Sequence, residues 1–399
     1  MSILFTPRKI GEIEVKNRFV HSATYEGMAD ASGRVTDQIL RRYNTLAKGG
    51  VGAIIPGFMH IHPLGRPYKY HIGIHNDDMI PGLRDLVDSV HREGAHIFFQ
   101  ISHAGRQTCK EIIGQIPMAP SDCGRDPVYF FKPRMMTEAE IDEAIKAYGA
   151  AAGRAAEAKA DGVQIHAAHG FLINQFLSPF FNRRKDSWGG SAENRFRFLK
   201  YVIAETRKNI PNDMPVLVKL NTCDYTPREG VTPSLAVKYA VWLSELGIDM
   251  LEVSCGTAVY SYMNMCRGDV PVKELMQSLP AWKRPIGRLM IGSLKGKYDI
   301  EEGYNLDAAK MIKSVLNNIP LGLVGGMRTK EKMEEAIADG HADFISMSRP
   351  FIREPFIVNK FKEGKRDAVA CVSCNKCMAA LPNGMPVRCY NKKFLSKRE

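Results

Sequence analysis

Residues 137–168 read TEAEIDEAIKAYGAAAGRAAEAKADGVQIHAA. Thr137, followed three positions later by Glu140, forms the pattern of a capping box, and the residues after it predict a helix that ends near residue 160. The run GVQIHAA at 162–168 is apolar without alternation, which is typical of a strand buried on both faces of a parallel sheet. A helix that leads directly into such a strand is one step of an α/β fold.

The same order repeats along the chain. Seven further apolar runs predict strands, at residues 19–23, 52–59, 96–102, 216–221, 250–255, 321–326 and 343–349. Eight strands that alternate with helical patterns predict an α/β protein with a closed (β/α)8 TIM barrel, which we assign to residues 1–365. A doubly wound open sheet is the alternative, but no strand is followed by the glycine pattern of a dinucleotide-binding half.

Composition limits the classes of function. The 399 residues are 45% hydrophobic and 25% charged, as in ordinary globular proteins, and the formal net charge is +12. Because the basic residues are dispersed and no nucleic-acid motif occurs, we predict no nucleic-acid partner. The absence of a secretory signal and of a long apolar run predicts a cytoplasmic location and no membrane contact.

Active sites of such barrels lie at the C-terminal ends of the strands and in the loops that follow. Two long insertions, residues 104–136 and 256–302, follow the third and sixth strands and are candidate lids. The rule selects Ser22, Ala23, Thr24, Tyr25, Gly57, Phe58, Gln100, His103, His166, His169, Lys219, Cys255, Gly325, Gly326, Ser348 and Arg349.

The ends of the last two strands predict a phosphate site. VGGMRT at 324–329 leads into a helix, and SMSRP at 346–350 contains an arginine. Glycines let backbone N–H groups approach a phosphate, a helix N-terminus adds partial positive charge, and Arg349 would add a bidentate cation. Glycines that serve only to pack the helix start would explain the turn but not the arginine.

Lys219, His166 and His169 are polar residues in or beside apolar strands. A buried ammonium needs an anionic partner, which is either a bound cofactor or a carboxylate inside the barrel. His-x-x-His at a strand exit lacks the further ligands that a metal ion needs. Two neutral imidazoles can instead hydrogen-bond one carbonyl oxygen and polarise a conjugated double bond, although a core histidine is the simpler alternative.

The stretch ACVSCNKCMAALPNGMPVRC at 370–389 holds four of the nine cysteines. Cys371, Cys374, Cys377 and Cys389 follow the spacing C-x2-C-x2-C-x11-C, which suits a 4Fe–4S cluster or a zinc ion. Clustered cysteines in a reducing compartment are more typical of metal ligands than of disulfides. We therefore assign residues 366–399 to a short cysteine-rich C-terminal extension.

Four segments resemble the Old Yellow Enzyme family of FMN-dependent ene reductases. They are VKNRFV at 15–20, QISHAGR at 100–106, DGVQIHAAHGFLINQFLSPFFNRRKDSWGGSAENRFRF at 161–198 and ADFISMSRPFIREP at 342–355. The resemblance implies hydride transfer from reduced FMN to an activated alkene, with His166 and His169 on the activating group of the small unsaturated substrate. It implies that FMN is bound by Ser22, Ala23, Thr24, Gly57, Gln100, Lys219, Gly325, Gly326, Ser348 and Arg349.

The sequence departs from the family pattern at two positions. Lys219 stands where the family usually has arginine, which keeps the charge but loses the planar fork. Phe171 stands where the family has its proton-donating tyrosine. The alternatives are that Tyr25 takes over this role, that water does, or that the reaction differs.

The cysteine spacing is similar to that of the family branch that includes 2,4-dienoyl-CoA reductase, enoate reductase and trimethylamine dehydrogenase. This resemblance implies a 4Fe–4S cluster, with zinc as the alternative. It also implies NAD(P)H as the direct or indirect donor, and a separate electron-transfer flavoprotein or ferredoxin that docks near residues 366–399. Two other functions stay open: an oxidative enzyme similar to the amine dehydrogenase, and a non-catalytic electron-transfer or zinc-stabilised subunit. A homo-oligomer is compatible with the sequence.

Overall fold

The structure is a computed structural model that describes residues 2–127 and 130–391, and its core is a closed ring of parallel strands. The first strand pairs with the second and the eighth, and the second pairs with the third, so the ring closes. The barrel strands are β1 Phe19–His21, β2 Ala53–Ile54, β3 His96–Ser102, β4 Gly162–Ala167, β5 Val216–Asn221, β6 Met250–Ser254, β7 Leu321–Val324 and β8 Phe344–Met347. The prediction of a (β/α)8 barrel is confirmed.

One helix follows each barrel strand on the outside of the ring. These helices are α1 Asp37–Lys48, α2 Ile80–His91, α3 Glu138–Glu157, α4 Ala192–Lys208, α5 Pro233–Glu245, α6 Leu306–Lys313, α7 Lys330–Ala338 and α8 Ile357–Lys362. Shorter helices in the loops are Lys110–Ile113, Leu172–Leu177, Tyr262–Met265, Val272–Gln277, Arg284–Gly292, Arg349–Arg353 and Lys376–Ala380. Short 3-10 turns lie at Ile3–Phe5, Pro63–Gly65, Asp77–Met79, Ala281–Lys283 and Leu381–Asn383.

The stretch that predicted the fold has the expected local structure. The Thr137 side chain accepts a hydrogen bond from the Glu140 backbone N–H, and the Glu140 carboxylate accepts one from the Thr137 N–H, which completes the capping box. The helix buries a stripe of small and aliphatic residues against the barrel, and every residue of β4 is buried. Burial on both faces explains why β4 is mostly apolar, with Gln164 and His166 as its two polar residues.

The predicted strand at residues 52–59 is wrong in its middle. The strand β2 stops at Ile54, and a separate strand, Met59–His60, pairs with the end of β3. Pro56 lies between the two pieces and has no backbone N–H with which to continue the ladder. Two further strand pairs lie outside the ring, Arg8–Ile10 with Ile13–Val15 and Met118–Ala119 with Arg134–Met135.

The C-terminal extension folds back onto the barrel. The backbone N–H of Val369 donates to Arg328 O at 2.9 Å, and that of Val387 donates to Glu26 O at 2.7 Å. Residues 392–399 of the predicted extension lie outside the described residues. In the part of the chain that the structure describes, no helix has the length and apolar character to cross a membrane.

Candidate functional site

A cavity of about 960 Å³ opens at the C-terminal ends of the barrel strands. Besides the barrel loops, its wall includes both insertions and the C-terminal extension, for example through Ile112, Leu279 and Leu381. The residues selected from the sequence that line it are Ser22, Ala23, Thr24, Tyr25, Phe58, Gln100, His166, His169, Lys219, Gly325, Gly326, Ser348 and Arg349. Residues far apart in the chain are therefore brought together as the barrel rule predicts.

Three selected residues do not line this cavity: Gly57, His103 and Cys255. Of these, Gly57 is the one that the resemblance assigns to FMN. Its N–H donates to Glu26 Oε1 at 2.7 Å and to the Tyr43 hydroxyl at 2.9 Å. A Cβ at this position would lie 2.3 Å from Glu26 Oε2, and burial raises the pKa of Glu26 to about 7. The glycine is required by the close approach of Glu26, and its role in FMN binding stays a prediction without support from this geometry.

Lys219 has a carboxylate partner inside the barrel, which is the alternative that the sequence left open. Its Nζ lies 3.1 Å from Glu252 Oε2 and donates to Ser22 Oγ at 2.8 Å. Gln164 donates to the same Glu252 oxygen at 3.0 Å, and Gln100 donates to Gln164 Oε1 at 2.6 Å. The polar side chains at the floor of the cavity thus form one hydrogen-bonded row.

The sequence reading missed Glu252, although the signal was available. A lone carboxylate in the apolar strand MLEVSC is as unusual as a lone ammonium in VLVKLN. The structure pairs β5 and β6 in parallel with Lys219 beside Glu252. A charge of each sign on strands that are neighbours in the chain would have predicted the pair.

His166 and His169 stand side by side at the exit of β4. Their ring centres are 5.2 Å apart and the rings are nearly perpendicular, at 81°. His169 Nε2 shares a hydrogen bond with Ser254 Oγ at 2.7 Å, whereas the buried Nδ1 of His166 has no partner among the described residues. Burial, with further contributions from Lys219, holds the pKa of both imidazoles well below the ordinary value. Both rings are therefore neutral near pH 7.

The aromatic wall of the cavity contains Phe171 and Tyr25. The Phe171 ring lies 4.9 Å from the His166 ring and 4.6 Å from the Phe58 ring, so no hydroxyl stands beside His166 at that position. Tyr25 stacks on Tyr68 with ring centres 4.6 Å apart, and burial raises the pKa of Tyr25. Four further tyrosines that line the cavity, Tyr68, Tyr70, Tyr262 and Tyr304, were not selected from the sequence, because they lie outside the strand ends.

The structure changes one part of the predicted phosphate site, the N-terminus of α7. The backbone N–H groups of Arg328 and Thr329 donate to Glu302 Oε1 at 2.6 and 2.5 Å, so this carboxylate occupies the N-terminus of α7. Gly325 and Gly326 line the cavity with φ of 153° and 75°, a backbone conformation that residues with a Cβ rarely adopt. The groups left for an anion are therefore the two glycines and the side chains around Ser348 and Arg349.

Two unpaired polar atoms show whether the cavity residues fit a bound cofactor. Ser346 lines the cavity, and its buried Oγ has no partner among the described residues, as is true of His166 Nδ1. Buried polar atoms in folded proteins are nearly always hydrogen-bonded. Their combination with open glycine backbone and an arginine fits a phosphate-bearing, polar-edged cofactor that the sequence resemblance implies.

The four cysteines of the extension are brought together. Cys371, Cys374, Cys377 and Cys389 line one small cavity, in which Arg349 and Cys371 are shared with the large cavity. Arg353 lies 3.8 Å from Cys389 Sγ, and all four thiols are free of disulfides. Within residues 2–127 and 130–391, no three His, Cys, Asp or Glu side chains converge as a site for a single metal ion.

Comparison with known proteins agrees with this geometry. The sequence profile of the NADH:flavin oxidoreductase / NADH oxidase family matches residues 3–279 and 291–368. The NADH oxidase of Thermoanaerobacter brockii is 34% identical over 377 residues, which cover 93% of this chain and 52% of the relative. The chain thus spans about half the length of that relative.

Two solved structures have the same fold. A 2-naphthoyl-CoA reductase in complex with 2-naphthoyl-CoA superposes with a TM-score of 0.84 at 28% identity, over 97% of this chain and 56% of that one. The Old Yellow Enzyme homologue of Zymomonas mobilis superposes with a TM-score of 0.71 at 26% identity, over 93% and 95% of the two chains. Since the family profile covers most of the barrel and these structures share its fold, the chain belongs to the NADH:flavin oxidoreductase / NADH oxidase family, an enzyme family of the Old Yellow Enzyme type.

Proposed function

We propose that the protein is an FMN-dependent ene reductase that receives its electrons through a 4Fe–4S cluster in the cysteine extension. The observation that carries this proposal is the pair of neutral imidazoles, His166 and His169, at the floor of a cavity that Lys219 and Arg349 also line. The substrate class is an alkene conjugated to a carbonyl: an enone, an enoate or an enoyl thioester. The likeness to a 2-naphthoyl-CoA reductase supports the thioester within this class.

The residues that would hold FMN divide into two groups. Gln100, Lys219 and Ser22 would bind the polar edge of the ring, and Gly325, Gly326, Ser348 and Arg349 would bind the phosphate. Bound FMN supplies a hydride acceptor and donor at the cavity floor. The Lys219 side chain is held there by its ion pair with Glu252 and by the hydrogen bond that it donates to Ser22 Oγ.

The two histidines orient the substrate. A carbonyl oxygen placed between neutral rings accepts N–H hydrogen bonds from both, and these bonds strengthen as negative charge develops on that oxygen. The Ser254 hydroxyl, 2.7 Å from His169 Nε2, fixes the orientation of that ring. Tyr25 would act as the proton donor in place of the tyrosine that Phe171 replaces. Tyr25 lines the same cavity, and burial raises its pKa, so its hydroxyl stays protonated near pH 7.

We propose a cluster in the cysteine extension, with zinc as the alternative, because the cysteine spacing resembles that of the cluster-bearing branch of the family. The four cysteines line one small cavity. A bound cluster passes single electrons, and we propose a separate electron-transfer flavoprotein or ferredoxin as its partner, with NAD(P)H as the ultimate donor. Nine cysteines without a disulfide favour a reducing, cytoplasmic location.

An oxidative reaction on an amine is the second candidate. The stacked rings of Tyr25 and Tyr68, together with Phe58 and Phe171, could surround a substituted ammonium group through cation–π contacts. Against it, no carboxylate lines the cavity within the described residues, and the histidine pair suits a carbonyl oxygen.

One experiment separates the two. The anaerobic, reduced holoprotein is mixed with 2-cyclohexenone or cinnamoyl-CoA, and the oxidised holoprotein with trimethylamine, while the flavin absorbance is followed. We expect the alkene to reoxidise the flavin and the amine to leave it oxidised. Reduction by the amine with no response to either alkene would overturn the proposal in favour of the second candidate.

A further inference from the structure

Arg349 lies at the boundary between the large cavity and the cysteine pocket. It is the first residue of the helix Arg349–Arg353 that follows β8, and it lines both cavities. Its Nη1 donates to Asn375 Oδ1 at 2.6 Å and to Arg267 O at 2.8 Å. The same nitrogen also donates to Cys266 O at 3.4 Å, and among the described residues these acceptors all face Nη1, which leaves the rest of the planar group available to an anion in the large cavity.

Asn375 holds Arg349 from the side of the cysteines. It stands between Cys374 and Cys377, is 2% exposed, and has a left-handed φ of 53°. Its Nδ2 donates to Cys266 O at 2.8 Å and to Asp269 O at 3.1 Å, while its Oδ1 accepts from Arg349. Every polar atom of the side chain is used, so the amide has one orientation in which it can serve all of its partners.

The cysteine loop cannot move without moving this amide. Ser373 has the same left-handed φ of 53°, and its carbonyl accepts a hydrogen bond from the Asp269 N–H at 3.0 Å. The loop is thus tied to the insertion at 256–302 on both sides of Cys374. A group bound by the thiols would fix the positions of Cys374 and Cys377 and, with them, the residue between them.

We infer that Asn375 is a positioning residue that couples occupancy of the cysteine pocket to anion binding by Arg349 in the large cavity. This inference rests on the proposed function, because it takes the anion to be the FMN phosphate and the occupant of the pocket to be the cluster. Coupling between two sites is reciprocal, so cluster loading raises the affinity for FMN by the same factor by which FMN stabilises the cluster. Removal of the amide abolishes the coupling while leaving both sets of direct ligands in place.

The test is a titration of FMN-free protein with FMN, followed by flavin fluorescence, with the cluster present or removed. For the unmodified chain we expect about tenfold tighter binding with the cluster, a factor within the usual range for coupled sites. Asn375→Gly removes the amide and tolerates the left-handed backbone. We expect it to bind FMN with the weaker affinity in both states.

Two further variants make the result specific. Asn383→Ala removes an amide from the same extension that donates to Glu274 O and Ala379 O and does not touch Arg349, so it should keep the tenfold difference. Asn375→Asp keeps an oxygen acceptor for Arg349 but places a second acceptor against Cys266 O and Asp269 O, so it should lose part of the coupling. It serves as the test if Asn375→Gly fails to assemble the cluster, and coupling equal to that of the unmodified protein would then overturn the role of Asn375. The visible spectrum of the cluster and its iron and sulfide content are measured in parallel.

The outcomes distinguish this inference from the proposed function. Equal coupling in the unmodified protein and in Asn375→Gly, or no coupling in the unmodified protein despite bound FMN and cluster, would overturn the role of Asn375 alone. Failure of the unmodified protein to bind FMN or iron would overturn the proposed function, and the inference with it.

Discussion

Lys219 Nζ lies 3.1 Å from Glu252 Oε2, and the two side chains are only 2% and 0% exposed. The two residues are direct neighbours on the parallel strands β5 and β6. Desolvation of both charges is costly, so the pair contributes little stability by itself and instead fixes an ammonium group at the floor of the cavity. The ion pair therefore holds the Lys219 side chain in place at the cavity floor before any ligand binds.

We expect Lys219→Met to destabilise the FMN-free protein by about 3–5 kcal/mol, because it leaves the Glu252 carboxylate buried without its cationic partner. The double variant Lys219→Met, Glu252→Gln should recover much of that loss. Urea denaturation followed by circular dichroism measures both. Lys238→Met, which removes an exposed pair with Glu193, is the control and should change the free energy of unfolding by less than about 1 kcal/mol. Equal effects of Lys219→Met and Lys238→Met would contradict a buried, charged pair.

The pH dependence of alkene reduction should show no histidine ionisation near pH 6.5. The pKa of His166 and of His169 is well below that value, so both rings are neutral from there upward and become charged only as the pH falls toward their lowered pKa values. Neutral rings in the folded state also mean that the stability they contribute declines as the pH falls below 6.5, where the unfolded chain binds protons. Profiles of kcat/KM for the unmodified protein and for His169→Asn test this. An inflection near pH 6.5 that disappears in His169→Asn would be incompatible with a neutral pair.

Tyr25→Phe should slow reoxidation of the reduced flavin by an alkene about 10²-fold or more, the usual contribution of a general acid. Binding of FMN and of the substrate should change little, since only the hydroxyl is lost. Tyr68→Phe is a matched control, because Tyr68 stacks on Tyr25 and lines the same cavity. If Tyr25→Phe reacts at the unmodified rate and Tyr68→Phe does not, the proton donor is Tyr68. If neither reacts more slowly, water takes that role.

Cys377→Ser should remove the broad visible absorbance of the cluster and lower the iron content, while FMN remains bound at saturating concentration. A 4Fe–4S cluster is held by four cysteine thiolates, and this variant keeps only three of them. Cys109→Ser is the control, since Cys109 lies in the first insertion and does not line the cysteine pocket. Full iron and sulfide content in Cys377→Ser, or zinc in place of iron in the unmodified protein, would contradict the cluster.

The sequence predicts the barrel well because its signal is local. Apolar strands buried on both faces and a capping box such as that of Thr137 and Glu140 depend on residues near each other in the chain. Most of the residues selected by the rule that places function at strand ends do line the cavity, since the rule depends only on strand order and direction.

The features that the sequence did not predict depend on contacts between residues that are far apart in the chain. Glu302, in the insertion at 256–302, accepts hydrogen bonds from the backbone N–H groups of Arg328 and Thr329. These residues lie 26 and 27 positions later in the chain. Gly57 packs against Glu26 and not against the cavity, which follows from a side chain 31 residues away. No local pattern reports such contacts. Their positions are set by how the loops cross over the barrel mouth, and this crossing depends on the packing of the whole fold.

The most direct test of the central claim is the cofactor content of the protein purified without oxygen. Acid-released flavin, iron and sulfide are measured against protein concentration, for the unmodified chain and for Arg349→Ala. We predict one FMN and four irons per chain in the unmodified protein, and loss of most of the FMN in Arg349→Ala. A colourless protein that binds no added FMN would contradict the claim that this cavity is a flavin site, whatever metal the cysteines hold.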